Sequence, residues 1–157
     1  MLMGNVNRGK QFEDQVRIGL SKVPETSVDR LIDPQNGYAG VRNICDFIVY
    51  HYPHQYYVEC KSCYGNTLPF SNITKNQWDG LYEKSKFAGV YAGVIVWFID
   101  HDMTLWVPIQ TLHRMKAEGR KSINIKKPEE LDGEYLIIPG DKKRILFDYD
   151  FSGFIGE

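Results

Sequence analysis

Little in this sequence suits a secreted, membrane-embedded or uniformly charged protein. Only three cysteines occur, Cys45, Cys60 and Cys63, too few to staple a small disulfide scaffold. The longest apolar run, Gly89 to Ile99, is about half a membrane span. The stretch from Met1 to Lys10 is rich in Gly and Asn and lacks the apolar core of a signal peptide. The expectation is a soluble, cytoplasmic protein with no membrane partner. Charge excess is also missing: 19 Lys and Arg face 20 Asp and Glu, a formal net of -1. That excludes coating nucleic acid through bulk charge, but not a local basic groove. There is no internal repeat, no low-complexity linker, no Gly-rich phosphate loop of Walker type and no nucleophile elbow.

What is present reads as one ordinary globular domain, since 157 residues at 43% hydrophobic leave room for one core rather than two. We assign 1–157 to a single unit, with a core over about 7–119 and an extension over 120–157. Phe12, Val16 and Leu20 recur at helical spacing and predict a helix over Gly9 to Lys22, ended by Pro24. Val28 to Ile32 is a short strand candidate, followed by a turn-rich loop through Gly37 and Gly40. Val41 to Tyr50 and Gln55 to Ser62 are rich in β-branched and aromatic residues. With Pro53 between them they predict an antiparallel hairpin. Thr74 and Gln77 match a capping box opening a second helix to about Phe87. Gly89 to Ile99 suits a central strand buried on both faces. Leu105 to Val107 predicts a strand, and Pro108, at a first helical position, opens a third helix that Gly119 closes. Tyr135 to Ile138 and Ile145 to Tyr149 are later strand candidates. The order predicts an α/β domain whose mixed central sheet is flanked by helices.

The chemistry sits on the predicted hairpin. Residues two apart on a strand share a face, so Glu59 and Lys61 project together. Asp46 lies on the partner strand, within approach of Glu59. Two carboxylates and an ammonium in an apolar sheet are costly unless balanced. Carboxylate oxygens suit Mg²⁺, which takes one or two of them and keeps several waters. Lys61 beside such a site could orient or deprotonate a water and offset charge at phosphorus. A Glu-x-Lys pair is common on exposed strands. Here an acid lies upstream across a hairpin, and the neighbours Phe47, Ile48, Val49, Tyr57 and Val58 look buried.

Asp46 followed by Glu59-Cys60-Lys61 resembles the PD-(D/E)xK nuclease motif, without its proline. Asn7-Arg8-Gly9-Lys10-x-Phe12-Glu13, Leu68-Pro69-Phe70 and Ile73-x-x-x-Gln77 are similar to the RecU-type Holliday junction resolvases, over about Asn7 to Thr111. The resemblance implies a restriction-endonuclease-like αβββαβ core. It implies an endonuclease that resolves four-way junctions in recombination and repair, with Mg²⁺ (or Mn²⁺) as cofactor, branched DNA as partner and a C2 homodimer. Carried over by position, Asp46, Glu59 and the Cys60 carbonyl would be metal ligands and Lys61 the catalytic lysine. Glu13 would act from the first helix and Gln77 near the attacking water. Ile44 stands where the family often has a hydroxyl residue. The Ile32 to Asn43 segment is short for the family's junction-entering stalk. Rival readings are a nuclease of linear or damaged duplex and a non-catalytic DNA binder with the same fold. A zinc or redox module built on Cys60-x-x-Cys63 lacks a second pair, so a packed strand cysteine is the simpler reading.

Phosphate contacts carry most nucleic-acid affinity. Arg114 to Lys127 holds six basic residues and one acid, among them Arg114, Lys116, Arg120 and Lys121. Lys142-Lys143-Arg144 is a second cluster, and Arg8, Lys10 and Arg17 flank the first helix. Tyr38 and Tyr64 are candidates for stacking on bases.

Overall fold

A computed structural model describes residues 7–32 and 42–156. Tyr38 and most of the predicted Gly loop lie outside them. Among the described residues, four helices, α1 (Arg8–Ser21), α2 (Lys75–Ser85), α3 (Ile109–Ala117) and α4 (Ser152–Ile155), accompany ten strands. The strands are β1 (Ser27–Arg30), β2 (Phe47–His51), β3 (His54–Cys63), β4 (Thr67–Pro69) and β5 (Val90–Phe98). They continue with β6 (Met103–Pro108), β7 (Ser122–Asn124), β8 (Leu136–Ile137), β9 (Gly140–Lys143) and β10 (Leu146–Tyr149).

The main sheet runs in the order β1-β2-β3-β5-β6-β8. Among the described residues only β3 and β5 pair in parallel in this sheet, joined by the α2 crossover; the other neighbours are antiparallel. This is the predicted α/β class, a restriction-endonuclease-like core with a mixed sheet between helices. The apolar run at Gly89 becomes β5 in the middle of the sheet, with Val94 to Phe98 fully buried, because a parallel strand covered on both faces needs no polar alternation.

Two cores result. On one face α1, through Phe12, Val16 and Leu20, packs with Val58, Cys60, Ile95, Trp97, Tyr149 and Phe151. On the other face α2 and α3, through Trp78, Leu81, Ile109 and Leu112, pack with Val94, Val96 and Val107. His113 stacks between Trp78 and Tyr82, and Lys116 and Lys86 cap the outer ring faces; this ladder ties α2 to α3.

Several boundaries differ from expectation. β2 begins at Phe47 rather than Val41, because Ile44 to Asp46 form a bend. Pro108 is the cap of α3 rather than its first residue. Sequence patterning missed β4, β7 and β9, which are three to four residues long and exist only through their partners. Within 122–149, β7 pairs β4, β8 joins the main sheet and β10 packs beside α1.

Candidate active site

The register sets the site. Phe47 opposes Val58, so the residue before β2, Asp46, falls level with Glu59. The Asp46 N–H donates to the Val58 carbonyl (3.0 Å) and its carbonyl accepts from Leu31 (2.8 Å). Its carboxylate, rather than a backbone group, accepts from the Cys60 N–H (2.8 Å). The N–H and C=O of a paired strand residue leave on the same edge. The Cys60 carbonyl is therefore directed past the end of β2, toward Asp46, and not toward β5.

Glu59 and Lys61 oppose Val94 and Val96, which belong to the α2 face. Glu59 is only 4% exposed. One oxygen, Oε2, accepts from Lys61 Nζ (3.1 Å) and Gln77 Nε2 (3.0 Å). The other, Oε1, is buried with no hydrogen-bond partner. Gln77 is held by the capping box: its Oε1 accepts from the Thr74 N–H (3.1 Å) and its own N–H donates to Thr74 Oγ1 (3.2 Å). One side chain thus caps the start of α2 and orients the buried carboxylate. Only an amide can do both, because it accepts at one end and donates at the other.

Glu13 pairs with Arg30 (2.8 Å), which also reaches Asp14 (3.3 Å). Arg30 was not visible as a site residue in the sequence; pairing of β1 with β2 brings it there. Gly80 has an equally indirect role. A Cβ at that position would lie 2.2 Å from Ile44 Cγ2, so glycine lets α2 lie against the bend that carries Asp46.

The three carboxyls are crowded and largely desolvated. Burial, then the Asp46 charge, push Glu59 up to about 8. Burial raises Asp46 against the Cys60 N–H bond. Burial and then Asp46 raise Glu13. Lys61 and Arg30 offset only part of this charge, and Glu59 keeps an orphaned oxygen inside the cluster. That donor set fits a hard divalent cation: two carboxylates and a main-chain carbonyl, with water completing the shell. Among the described residues no group of three or more His, Cys, Asp and Glu side chains is disposed to hold a metal, so carboxylates alone would not form the shell. The thiols suit zinc poorly. Cys60 and Cys63, three apart on one strand, face opposite sides. Burial holds Cys45 at about 12 and Cys63 at about 11 and raises Cys60, so none offers a thiolate near neutral pH.

The basic candidates divide. Arg114 is held by Glu118 and Glu134, and Arg120 by Glu130. Lys116 and Lys121 line an open groove of about 940 Å³ floored by Phe70, Ile73 and Trp78. Lys10 and Arg17 are exposed, Arg8 reaches Gln11 (2.8 Å), and Tyr64 is exposed just past β3. The start of α1 lies at this end of β3, since a Cβ at Gly9 would sit 3.9 Å from Ser62 Oγ.

The sequence model of the RecU family, recombination protein U, matches residues 22–149. The chain belongs to the RecU family. The match begins after the Asn7 to Glu13 segment and extends beyond Thr111, so it includes Asp46, Glu59, Lys61 and Gln77 and leaves Glu13 outside. No curated protein matches the chain. Among solved structures it is similar to Hjc of Archaeoglobus fulgidus, a Holliday junction resolvase. The two are 16% identical, with a TM-score of 0.50 over 66% of this chain and 78% of that one. This likeness is one of fold. No described helix is long and apolar enough to cross a membrane.

Proposed function

We propose that this RecU-family chain is a divalent-metal-dependent endonuclease that resolves Holliday junctions. The observation that carries this is Asp46 level with Glu59-x-Lys61, with one Glu59 oxygen buried and unpartnered. Asp46, Glu59 and the Cys60 carbonyl would hold Mg²⁺, with Mn²⁺ able to substitute. Bound there, the cation would supply charge compensation at the phosphate and a more acidic water. The chain's own residues do the rest. Lys61, beside Glu59, stabilises the negative charge that grows on phosphorus as the new P–O bond forms and the old one breaks. Gln77 holds Glu59 in the orientation its cap dictates. Glu13 acts from α1, on the acidic side of the site. Lys10, Arg8, Arg17, Lys116 and Lys121 contact phosphates, and Tyr64 and Tyr38 stack on bases. Two symmetric cuts in a junction call for a C2 dimer with two such sites.

The deciding assay compares a four-way junction with a linear duplex of the same sequence in Mg²⁺. Paired, symmetric nicks in the junction alone are expected. Equal cutting of both would assign a duplex nuclease instead, and no cutting with any divalent metal would leave a binding protein. Asp46→Ala and Glu59→Ala should each abolish cleavage while junction binding survives. Retained cleavage in either would remove that residue from the ligand set.

A further inference from the structure

The turn of the β9–β10 hairpin holds a residue in a conformation that costs stability. Leu146 opposes Lys143 and Phe147 opposes Lys142, so the turn consists of two residues, Arg144 and Ile145. Arg144 has a φ of +60° and Ile145 is not in the left-handed region. A positive φ at the first central residue alone is the type II′ pattern, where glycine is strongly preferred. A branched cation takes that place, and an aliphatic residue next to it is 45% exposed. Among the described residues Arg144 and Lys143 form no salt bridge, Lys143 acting on Asp148 only at longer range. Strain kept where glycine would relieve it points to function.

The tip points toward the catalytic end. At the hairpin's base, Asp148 pairs with Lys22 just past the end of α1, and Tyr149 lies against Gly19. Nearer the tip, Phe147 packs on Trp97, and Lys142 reaches Asp102 (3.0 Å) in the turn that follows β5. Trp97 is the partner of Ser62, one residue past Lys61, and the start of α1 also lies beside Ser62. The hairpin thus runs along α1 from its far end to its near end. It places Lys143, Arg144 and Ile145 on the same end of the molecule as the Asp46–Glu59–Lys61 site.

We infer that this tip is a branch-point wedge. Lys143 and Arg144 grip backbone phosphates, and Ile145 packs on the base-pair face that is left bare where duplex stacking stops. Apolar side chains between cationic neighbours act this way at opened base steps. The inference rests on the nuclease reading and adds the element that recognises the branch.

The test replaces the turn by one that favours the same backbone, Arg144→Gly with Ile145→Ser, alongside Ile145→Ser alone. Thermal melts, and binding to a four-way junction and to matched linear duplex, are measured without metal, with 2-aminopurine beside the branch. The double variant should melt at or above the wild-type temperature yet bind the junction about tenfold more weakly. Its duplex affinity should fall much less, and its log K against log salt slope should flatten by about 0.9 for the lost phosphate contact. Ile145→Ser alone should abolish the 2-aminopurine signal and spare duplex binding. Unchanged junction affinity in both variants overturns the wedge. If the wild type still cuts junctions, the nuclease reading survives that result. A wild type that neither binds nor cuts junctions overturns both.

Discussion

Replacing Glu59 by glutamine should stabilise the cation-free protein at alkaline pH. Glu59 is 4% exposed, and burial and Asp46 carry its carboxyl from an ordinary 4.5 up to about 8. A raised acid binds its proton more tightly folded than unfolded, so the wild type is most stable below about 4.5 and loses stability as pH rises toward 8. At about 1.4 kcal/mol per tenfold change in proton affinity, full ionisation removes roughly 4–5 kcal/mol. Glutamine is neutral and can still accept from Lys61 and Gln77, so its profile lacks that component. Glu13 remains in both proteins and cancels in the difference, whereas Asp46 and Glu59 titrate as a pair, so the difference reports the pair rather than Glu59 alone. For a domain of this size 1 kcal/mol moves Tm by about 2–4 °C, so the variant should melt on the order of 10 °C higher at pH 9 and nearly level at pH 4. Urea and thermal melts across pH 4–9 in chelator measure this. Added Mg²⁺ should raise the wild-type Tm, by about 2.7 kcal/mol worth of stability at 100-fold excess over Kd, and more at pH 8 than at pH 6, where the proton competes. The variant should barely respond. Parallel pH profiles for the two proteins, or an equal response to Mg²⁺, would refute the account of a buried carboxylate awaiting a cation.

Gln77→Glu should lower cleavage by at least tenfold, and more than Gln77→Ala. It keeps the cap to Thr74 but sets a second carboxylate on Glu59 Oε2, and steady-state rates with matched melts separate the two effects. Gly93→Ala would put a Cβ 2.4 Å from the Val107 carbonyl and 2.8 Å from Pro108 Cα. Neighbouring strand backbone cannot withdraw, so a loss of about 1–3 kcal/mol in urea melts is expected. Gly80→Ala, crowding Ile44 beside Asp46, should reduce cleavage out of proportion to stability. Phe12→Ala, deleting a buried ring packed on Trp97 and Tyr149, should cost about 3–5 kcal/mol.

The near-balanced charge of the sequence takes its meaning from the fold. Acids concentrate at Glu13, Asp46 and Glu59, where they fit a cation. Several cations, including Arg114 and Arg120, are neutralised by internal partners. Among the described residues, cations without a carboxylate partner include Lys10 and Arg17 on α1, Lys116 and Lys121 at the open groove, and Lys143 and Arg144 at the hairpin tip, so affinity for DNA would come from separate patches rather than from bulk charge.

The sequence by itself determined the α/β class, the hairpin of β2 and β3, the cap that starts α2 and the shared face of Glu59 and Lys61. Those rest on short-range periodicity, on turn chemistry and on hydrogen bonds between residues three apart. Tertiary structure alone decided the rest. That Asp46 lies level with Glu59 follows from strand register. That Gln77 reaches Glu59 follows from how α2 crosses the sheet, and the arrival of Arg30 at Glu13 follows from β1 pairing with β2. The short strands β4, β7 and β9 carry no pattern, because three or four residues cannot declare a period. The orphaned Glu59 oxygen and the raised carboxyls are properties of burial, which no residue possesses until the two cores close around it.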